Sequence, residues 1–172
     1  NVGGTVSLME AMRDVGVGRV VFISSGAVYG DQQDQPVNEQ MPTQPHSPYA
    51  VSKLAAEYYV NTIGALWGID TAILRVFNAY GPGQHLPPAH APLIPNFIRQ
   101  AVRGGTLVIH GDGRQTRDFI YVTDVVRAMI AAATAPKINQ QIINVGSGQE
   151  TSVRTVAEKV LEVTGHKAEI LY

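Results

Sequence analysis

The amino-acid sequence predicts an α/β fold with a mainly parallel sheet. Short runs rich in β-branched and aromatic residues alternate along the chain with segments of helical spacing, which is the pattern of strand-helix-strand units. The first of these runs are apolar at nearly every position, as strands are when both faces of a sheet are buried. Two long, Pro-rich loops follow strands, and ligands bind at the carboxyl ends of parallel strands.

The first half of the chain contains, in order, a helix, a buried strand, a second helix and a second buried strand. Their predicted bounds are residues 5–13, 19–23, 48–66 and 71–77. Ser47 is suited to cap the second helix, and Pro48 is tolerated at the first helical position. The polar segment 31–48 is predicted to be a long loop.

The second half continues the alternation with shorter strands. After a second long loop at 81–92, we expect a helix at 93–103, followed by Gly104 and Gly105. Thr123 and Ser152 are expected to cap two further helices. The remaining predicted bounds are strands at 107–110, 118–122, 141–145 and 168–171, with the two capped helices ending near 133 and 164.

The composition excludes several classes of protein. With 45% apolar residues among 172, the chain can bury a sizeable core, and its net charge of −1 gives no indication of a nucleic-acid-binding face. The absence of cysteine excludes disulfides, thiolate metal sites and a cysteine nucleophile. No apolar run is long enough to span a membrane. We expect a cytoplasmic protein without nucleic-acid or membrane partners.

Tyr49 and Lys53 are candidate catalytic residues. They stand four residues apart at the start of a helix and therefore share a face. A phenol titrates near pH 10, about three units too high for a base at neutral pH, but a nearby ammonium stabilises the phenolate and lowers the pKa. Tyr49 can then act as an acid/base group. Ser25, at the tip of the preceding strand, can hydrogen-bond the same substrate hydroxyl.

The Tyr-Lys spacing does not identify the chemistry alone, because such pairs also arise by chance. The position of Tyr49 supports a catalytic role. It lies at the start of a helix, and this helix follows a strand ending in two serines and a loop. Tyr58 and Tyr59 on the same helix lack a lysine four residues later. We expect those two tyrosines to be packing residues.

Five motifs occur in one order along nearly the whole chain. They lie at residues 24–30, 47–53, 74–83, 111–122 and 144–148. In this order they resemble the extended short-chain dehydrogenase/reductase family, in particular its NAD-dependent epimerases and dehydratases of nucleotide sugars. The resemblance implies a Rossmann-like doubly wound parallel sheet, of which residues 1–80 are the C-terminal portion. Residues 81–172 would mostly form part of a smaller α/β substrate-binding domain, with segments returning to the sheet.

The resemblance also implies a role for each matching residue. The catalytic residues would be Ser25, Tyr49 and Lys53. The cofactor NAD would contact Asn1, Ser24, Tyr49, Lys53 and Phe77. The nucleotide-sugar substrate, expected to be a UDP-sugar, would contact Ser25, Asn78, Leu93, Ile94, Val108, His110 and Arg117. The alternative for Arg117 is a surface ion pair with Asp118.

The residues after Ser25 distinguish reactions within the family. Family dehydratases carry an Asp-Glu pair there, whereas this chain has Gly26 and Ala27, which cannot transfer protons. Tyr49 is then the one evident acid/base, and reversible oxidation at one carbon needs no other. We therefore expect 4-epimerisation through a 4-keto sugar. The alternatives are a keto-sugar reductase, a dehydratase, or a truncated module without activity.

Three further expectations concern the boundaries of the chain, its assembly and metals. The family's Gly-rich pyrophosphate loop and the C-terminal end of the substrate domain are not found in the sequence, so we expect a fragment that holds NAD poorly alone. The resemblance implies a homodimer through the helices at 5–13 and 54–66, although the same surface could pack on the sheet. No metal site is expected from His46, His85, His90, His110 and His166. Residues 146–148 are expected to form a tight turn rather than a phosphate loop.

Overall fold

The computed structural model describes residues 1–87 and 91–172. These residues form two compact units, one of Asn1–Phe77 and Thr123–Gly146, and the other of Asn78–Val122 and Ser147–Tyr172. We call them the first and the second unit. The chain thus leaves the first unit after Phe77, returns to it at Thr123, and leaves it again after Gly146.

Helices and strands alternate along the described part of the chain. The α-helices are α1 Val2–Val15, α2 Pro48–Trp67, α3 Leu93–Val102, α4 Val122–Thr134 and α5 Val153–Thr164. The strands are β1 Arg19–Ser25, β2 Asp70–Val76, β3 Asn78–Tyr80, β4 Leu107–Val108, β5 Thr116–Tyr121, β6 Gln141–Val145, β7 Glu150–Ser152 and β8 Ile170–Leu171. A short 3₁₀ helix spans Gly26–Tyr29. The predicted α/β class is confirmed.

The first unit contains a three-stranded parallel sheet in the order β1-β2-β6. The register places Ser25 beside Val76 and Val76 beside Val145, so the three strands end at one level. Residues of α1, α2 and the sheet form a buried cluster that includes Met9, Val60 and Ile73. The cluster packs against Val20 and Phe22 of β1, the strand whose last residue is Ser25.

The second unit is built on shorter strands. β3 pairs parallel with β5, β5 pairs antiparallel with β7, and β4 pairs parallel with β8. Helices α3 and α5 pack together over a core that includes Phe97, Leu107, Ile109 and Ala157. Because most of its strands have two or three residues, this unit depends on that helical core more than on its strand ladders.

The helix starts follow the expected capping chemistry in two cases and not in a third. The Ser47 hydroxyl accepts a hydrogen bond from the Ala50 amide at 3.1 Å, and the Ser152 hydroxyl accepts one from Thr155 at 3.0 Å. The prediction that Thr123 caps a helix is wrong. The helix begins one residue earlier, at Val122, so Thr123 lies inside its first turn.

Tyr58 and Tyr59 are exposed among the described residues and are not core packing residues, in contrast to the prediction. Their exposed fractions are 65% and 46%. The buried face of α2 is instead formed by small and aliphatic residues such as Ala56 and Val60, together with Glu57.

None of the helices in residues 1–87 and 91–172 combines the length and apolar character needed to cross a membrane.

Candidate active site

Ser25 lies at the carboxyl end of β1, where the chain turns into the 3₁₀ helix. Its side-chain oxygen accepts a hydrogen bond from the Ala27 amide at 3.2 Å, which caps that helix. A hydroxyl that accepts from the backbone still has its own proton to donate. Ser25 is also partly exposed, so this proton is available to a ligand.

Lys53 is tied to the same strand. Its ammonium donates a hydrogen bond to the Ile23 carbonyl at 2.7 Å and lies 5.3 Å from the centre of the Phe22 ring. Burial lowers the pKa of Lys53, because desolvation disfavours its charged form. An ammonium has three donors, so two remain for other groups.

Tyr49 occupies the first turn of α2, one turn before Lys53. Its side chain is 52% exposed, and its hydroxyl has no hydrogen-bond partner among the residues that the structure describes. The four-residue spacing places the Tyr49 and Lys53 side chains on one face of the helix. The phenol is therefore open to a ligand and close along the helix to a cation.

Asn1 is brought to the start of α2. Its side-chain amide donates a hydrogen bond to the Ser52 hydroxyl at 2.7 Å, and that hydroxyl donates to the Tyr49 carbonyl at 2.8 Å. The structure thus places Asn1, Tyr49 and Lys53 at one end of the same helix. The Asn1 side chain makes no capping bond to α1.

Ser24 differs from the other candidate cofactor residues. Its side chain is only 3% exposed, and its hydroxyl donates to the carboxylate of Glu57. The hydroxyl is therefore committed inside the first unit and is not free to bind a cofactor. Only the backbone of Ser24 remains for such a contact.

Gly26 and Phe77 form a close contact beside Ser25. A Cβ atom built on Gly26 would lie 3.0 Å from two carbons of the Phe77 ring. The backbone of Phe77 is held in turn, because its amide donates to the Val145 carbonyl at 3.0 Å. A side chain at position 26 therefore has no space unless this ring moves.

Gly26→Ala is expected to destabilise the first unit, because overpacking of this kind costs about 1–3 kcal/mol. The measurement is the free energy of unfolding in urea for the full-length protein. Gly3→Ala is the matched control, since a Cβ at Gly3 meets nothing within 4 Å. Gly3 lies inside α1, so alanine there is expected to stabilise by about 0.5–1 kcal/mol. Equal effects of the two changes would contradict the steric reading.

The second unit contains a cavity of about 640 Å³. This volume is in the range of small-molecule sites. The cavity is lined by the six residues of this unit that were expected to contact the substrate: Asn78, Leu93, Ile94, Val108, His110 and Arg117. The structure thus brings together residues from β3, α3, β4 and β5 and from the segment after β4.

The cavity combines a free cation with apolar walls. Arg117 is exposed, and its guanidinium donates to the Thr116 carbonyl at 2.7 Å. Within the described residues no carboxylate lies within ion-pair distance of Arg117. Leu93, Ile94 and Val108 supply apolar surface in the same cavity. An unpaired guanidinium suits phosphate oxygens, and apolar walls suit a flat base or sugar face.

Asp118 does not pair with Arg117, so the surface ion-pair alternative is wrong. The carboxylate of Asp118 accepts hydrogen bonds from the Ser147 amide at 2.8 Å, the Ser147 hydroxyl at 2.6 Å and the Gly148 amide at 2.9 Å. These amides are therefore occupied by an internal carboxylate and cannot cradle a phosphate. The segment forms a turn in which Gly148 has a φ of +71°.

Gln84 is a cavity residue that the sequence reasoning missed. Its side-chain nitrogen donates to the Ala79 carbonyl at 3.1 Å, and its side-chain oxygen is buried without a partner in the described structure. Its position could have indicated a binding role, because it directly follows Gly81-Pro82-Gly83 in a loop that comes after a strand. A buried acceptor without a partner lines the cavity and can receive a ligand donor.

The described residues contain no cluster of three or more histidine or acidic side chains suited to a metal ion. His46 lies 3.3 Å from Asp31 in an exposed pair. His90 lies outside the described residues.

A parallel sheet whose first strand ends at Ser25, followed by a helix that carries Tyr49 and Lys53 and bonds to that strand through Lys53, is the arrangement of short-chain dehydrogenase/reductase proteins. Residues 1–146 match the NAD dependent epimerase/dehydratase family, and the chain belongs to this family.

Relatives and solved structures agree with this membership. The chain is 40% identical over 173 residues to a putative UDP-glucose 4-epimerase of Methanocaldococcus jannaschii, covering 100% of this chain and 55% of the relative. A UDP-N-acetylglucosamine 4-epimerase of Methanobrevibacter ruminantium, in complex with UDP-N-acetylmuramic acid, superimposes with a TM-score of 0.95 at 34% identity and covers 100% and 55% of the two chains. A UDP-glucose 4-epimerase of Thermus thermophilus in complex with NAD gives 0.86 at 34% identity, with 97% and 55% covered. The chain therefore spans about half the length of the proteins it matches, and its first unit has the Rossmann-like fold of NAD-dependent epimerases.

Proposed function

We propose that the full-length protein is an NAD-dependent epimerase that inverts carbon 4 of a UDP-sugar. The observation that carries this proposal is the surroundings of Ser25. Ser25 is followed by Gly26 and Ala27, which cannot transfer protons, whereas Tyr49, on the helix whose Lys53 bonds to β1, is an exposed phenol that can act as an acid/base. A single acid/base is sufficient for oxidation and reduction at one hydroxyl-bearing carbon.

The residues of the first unit suit NAD. Lys53 keeps two donors that can bind ribose hydroxyls, and the exposed Tyr49 phenol and the Phe77 ring lie on the same unit. We propose that Asn1, Tyr49, Lys53 and Phe77 hold this cofactor and that Ser24 does so through its backbone at most. NAD, when bound, supplies reversible acceptance of a hydride from the sugar carbon.

The chain's own groups would move the proton. Tyr49, as phenolate, accepts the proton of the sugar hydroxyl while the carbon is oxidised, and returns it when the carbon is reduced on its other face. Lys53 stabilises the phenolate by its charge. The Ser25 hydroxyl donates a hydrogen bond to the same sugar oxygen and holds that oxygen in place.

The cavity of the second unit would hold the nucleotide part of the substrate. We propose that Arg117 binds the diphosphate and that Leu93, Ile94 and Val108 contact the nucleoside. The side chain of Asn78 donates to the Asp118 carbonyl at 3.0 Å, which orients its amide at the wall of this cavity.

Arg117→Ala is expected to weaken UDP binding about tenfold or more, because a hydrogen bond to a charged group contributes about 1.5–3 kcal/mol. Isothermal titration of the full-length protein with UDP measures this. Arg114→Ala is the matched control, since Arg114 lies in the same segment, outside the cavity, with its side chain 90% exposed. Loss of affinity in both variants would indicate only a general effect of charge.

The proposed reaction is tested by incubating the full-length protein with UDP-galactose. We expect UDP-glucose to form without net consumption of cofactor. A released 4-keto-6-deoxy product would identify a dehydratase, an activity that the family also contains. Stoichiometric oxidation of NADPH would identify a reductase. Either result would refute the epimerase proposal.

We further propose that the assembled enzyme is a homodimer. Leu8 on α1 and Tyr58 and Tyr59 on α2 expose 54%, 65% and 46% of their surface. The helices α1 and α2 pack against each other, so these side chains lie on one helical layer of the first unit. A cytoplasmic location remains a prediction.

A further inference from the structure

A row of polar side chains runs along α2 from the first turn. Lys53, Glu57 and Asn61 follow Tyr49 at intervals of four residues, so all share one side of the helix. Each of the three bonds to a strand of the first unit. Lys53 donates to the Ile23 carbonyl, Glu57 accepts from Ser24, and Asn61 accepts from the Thr71 hydroxyl at 2.7 Å.

Glu57 is the most constrained member of this row. It is 3% exposed, and it accepts hydrogen bonds from the Arg75 guanidinium at 2.7 and 3.1 Å in addition to the bond from Ser24. Arg75 is 4% exposed and stands beside Ser24 in the register of β1 and β2. One carboxylate thus joins α2 to two neighbouring strands, at the residue directly before Ser25.

A buried ion pair is a poor means of stabilising a fold, because its desolvation cost is comparable to its Coulomb attraction. Such a pair can instead specify geometry, since in this placement of the helix the Glu57 carboxylate meets both the Ser24 hydroxyl and the Arg75 guanidinium, while Arg75 Nη1 stays buried without a partner in the described structure. If α2 moved along β1 by one residue, Glu57 would lose Ser24, and Arg75 would lose its carboxylate. The same movement would change the position of Tyr49 relative to Ser25.

We infer that the Ser24–Glu57 contact is a positioning element for the reaction, in which Glu57 sets Tyr49 relative to Ser25 without touching substrate or cofactor. This inference rests on the proposed function for its kinetic readout. It also explains why a serine precedes the catalytic candidate Ser25, although its hydroxyl is buried.

A matched pair of variants separates positioning from stability. Ser24→Ala removes one buried hydroxyl bound to α2 and leaves the Arg75–Glu57 ion pair in place, so the protein is expected to fold. Thr71→Val removes another buried hydroxyl, which donates to Asn61 of α2. Thr71 is 0% exposed, and valine has nearly the same shape. Thr71 pairs with Val20, four residues before Ser24 along β1 and far from the strand end.

Both variants are expected to lower the melting temperature of the full-length protein by a similar amount. We expect only Ser24→Ala to lower kcat, by about tenfold or more, because small misplacements of reacting groups cost up to about 100-fold. KM for UDP-galactose and Kd for NAD should stay within about twofold of wild type, with rates measured well below the melting temperature. An unchanged kcat in Ser24→Ala, or an equal loss in Thr71→Val, would overturn the inference. A large rise in Kd for NAD would also overturn it, since Ser24 would then contact the cofactor.

Failure of the proposed function can be recognised separately, because wild-type protein would then not convert UDP-galactose. In that case the positioning role is tested by NMR with ¹³Cζ-labelled tyrosine, assigned by comparison with Tyr49→Phe. The Tyr49 signal is expected to shift in Ser24→Ala and to stay in place in Thr71→Val. Identical spectra of Ser24→Ala and wild type would refute the positioning role.

Discussion

Tyr49→Phe is expected to lower kcat for UDP-galactose by about 10²–10⁴-fold in the full-length protein, the usual contribution of an acid/base group. The substitution removes only the phenolic hydroxyl and keeps the ring. The hydroxyl has no partner among the described residues, so no bond within the chain is lost and the fold should be unaffected. Steady-state kinetics with UDP-galactose, together with the melting temperature, provide the measurement.

Two tyrosines on the same helix provide the control. Tyr58→Phe and Tyr59→Phe make the same chemical change at exposed positions of α2 that have no lysine four residues later. We expect both to retain wild-type kcat within about twofold. If Tyr49→Phe were as active as these variants, another group would have to carry the proton, and the proposed mechanism would be wrong.

The elements that could be predicted from the sequence are those with strong local signals. The apolar runs of β1, β2 and β6 and the serines before α2 and α5 determine structure within a few neighbouring residues. Strands β3 and β7 were not predicted. Each has three residues without a continuous apolar run, and each forms because β5 offers backbone partners from a distant part of the chain.

In the candidate site, too, local features could be predicted and contacts between distant residues could not. The spacing of Tyr49 and Lys53 is local and could be interpreted directly, whereas the cavity residues were expected only through resemblance to a family. Contacts across the sequence remained hidden, because Glu57 is 33 residues from Ser24 and 18 from Arg75. Nothing near Ser24 indicates that its hydroxyl is buried while that of Ser25 is partly exposed. Neighbouring side chains of a strand point to opposite faces, and the packed helix determines which face is covered.

The contact between Gly26 and Phe77 combines a local sequence signal with a contact between residues distant in the sequence. Sequence alone indicates that position 26 carries no acid, and the structure adds that the Phe77 ring occupies the space a side chain would need. An acid at position 26 therefore requires the Phe77 ring to shift slightly, since a Cβ there would lie only 3.0 Å from two of its carbons. Acid/base chemistry at this position thus depends both on the residue at 26 and on the placement of the Phe77 ring against it.

The largest effect on stability is expected at Arg75. Burial by itself would lower the pKa of Arg75, but the hydrogen bonds and the charge of Glu57, with a smaller contribution from Tyr29, raise it above the ordinary value. The guanidinium therefore stays charged. Arg75→Met leaves the Glu57 carboxylate buried without this partner, and such a loss costs about 3–5 kcal/mol. The free energy of unfolding in urea at pH 7 measures the change.

Two further variants determine whether the unpaired charge of Glu57 causes the loss of stability in Arg75→Met. Arg75→Met combined with Glu57→Leu removes both charges, and we expect it to recover most of the lost stability, because an apolar pair avoids the desolvation cost. Arg127→Met breaks an exposed ion pair with Asp124, whose side chains are 80% and 53% exposed, and should have no measurable effect. If the double variant were as unstable as Arg75→Met, the cause would instead be the lost packing of Arg75 on the Tyr29 ring, 4.8 Å away, or the buried Ser24 hydroxyl left without its Glu57 acceptor. If the double variant is stable but slow, Glu57 contributes more to the geometry of Tyr49 and Ser25 than to the stability of the fold.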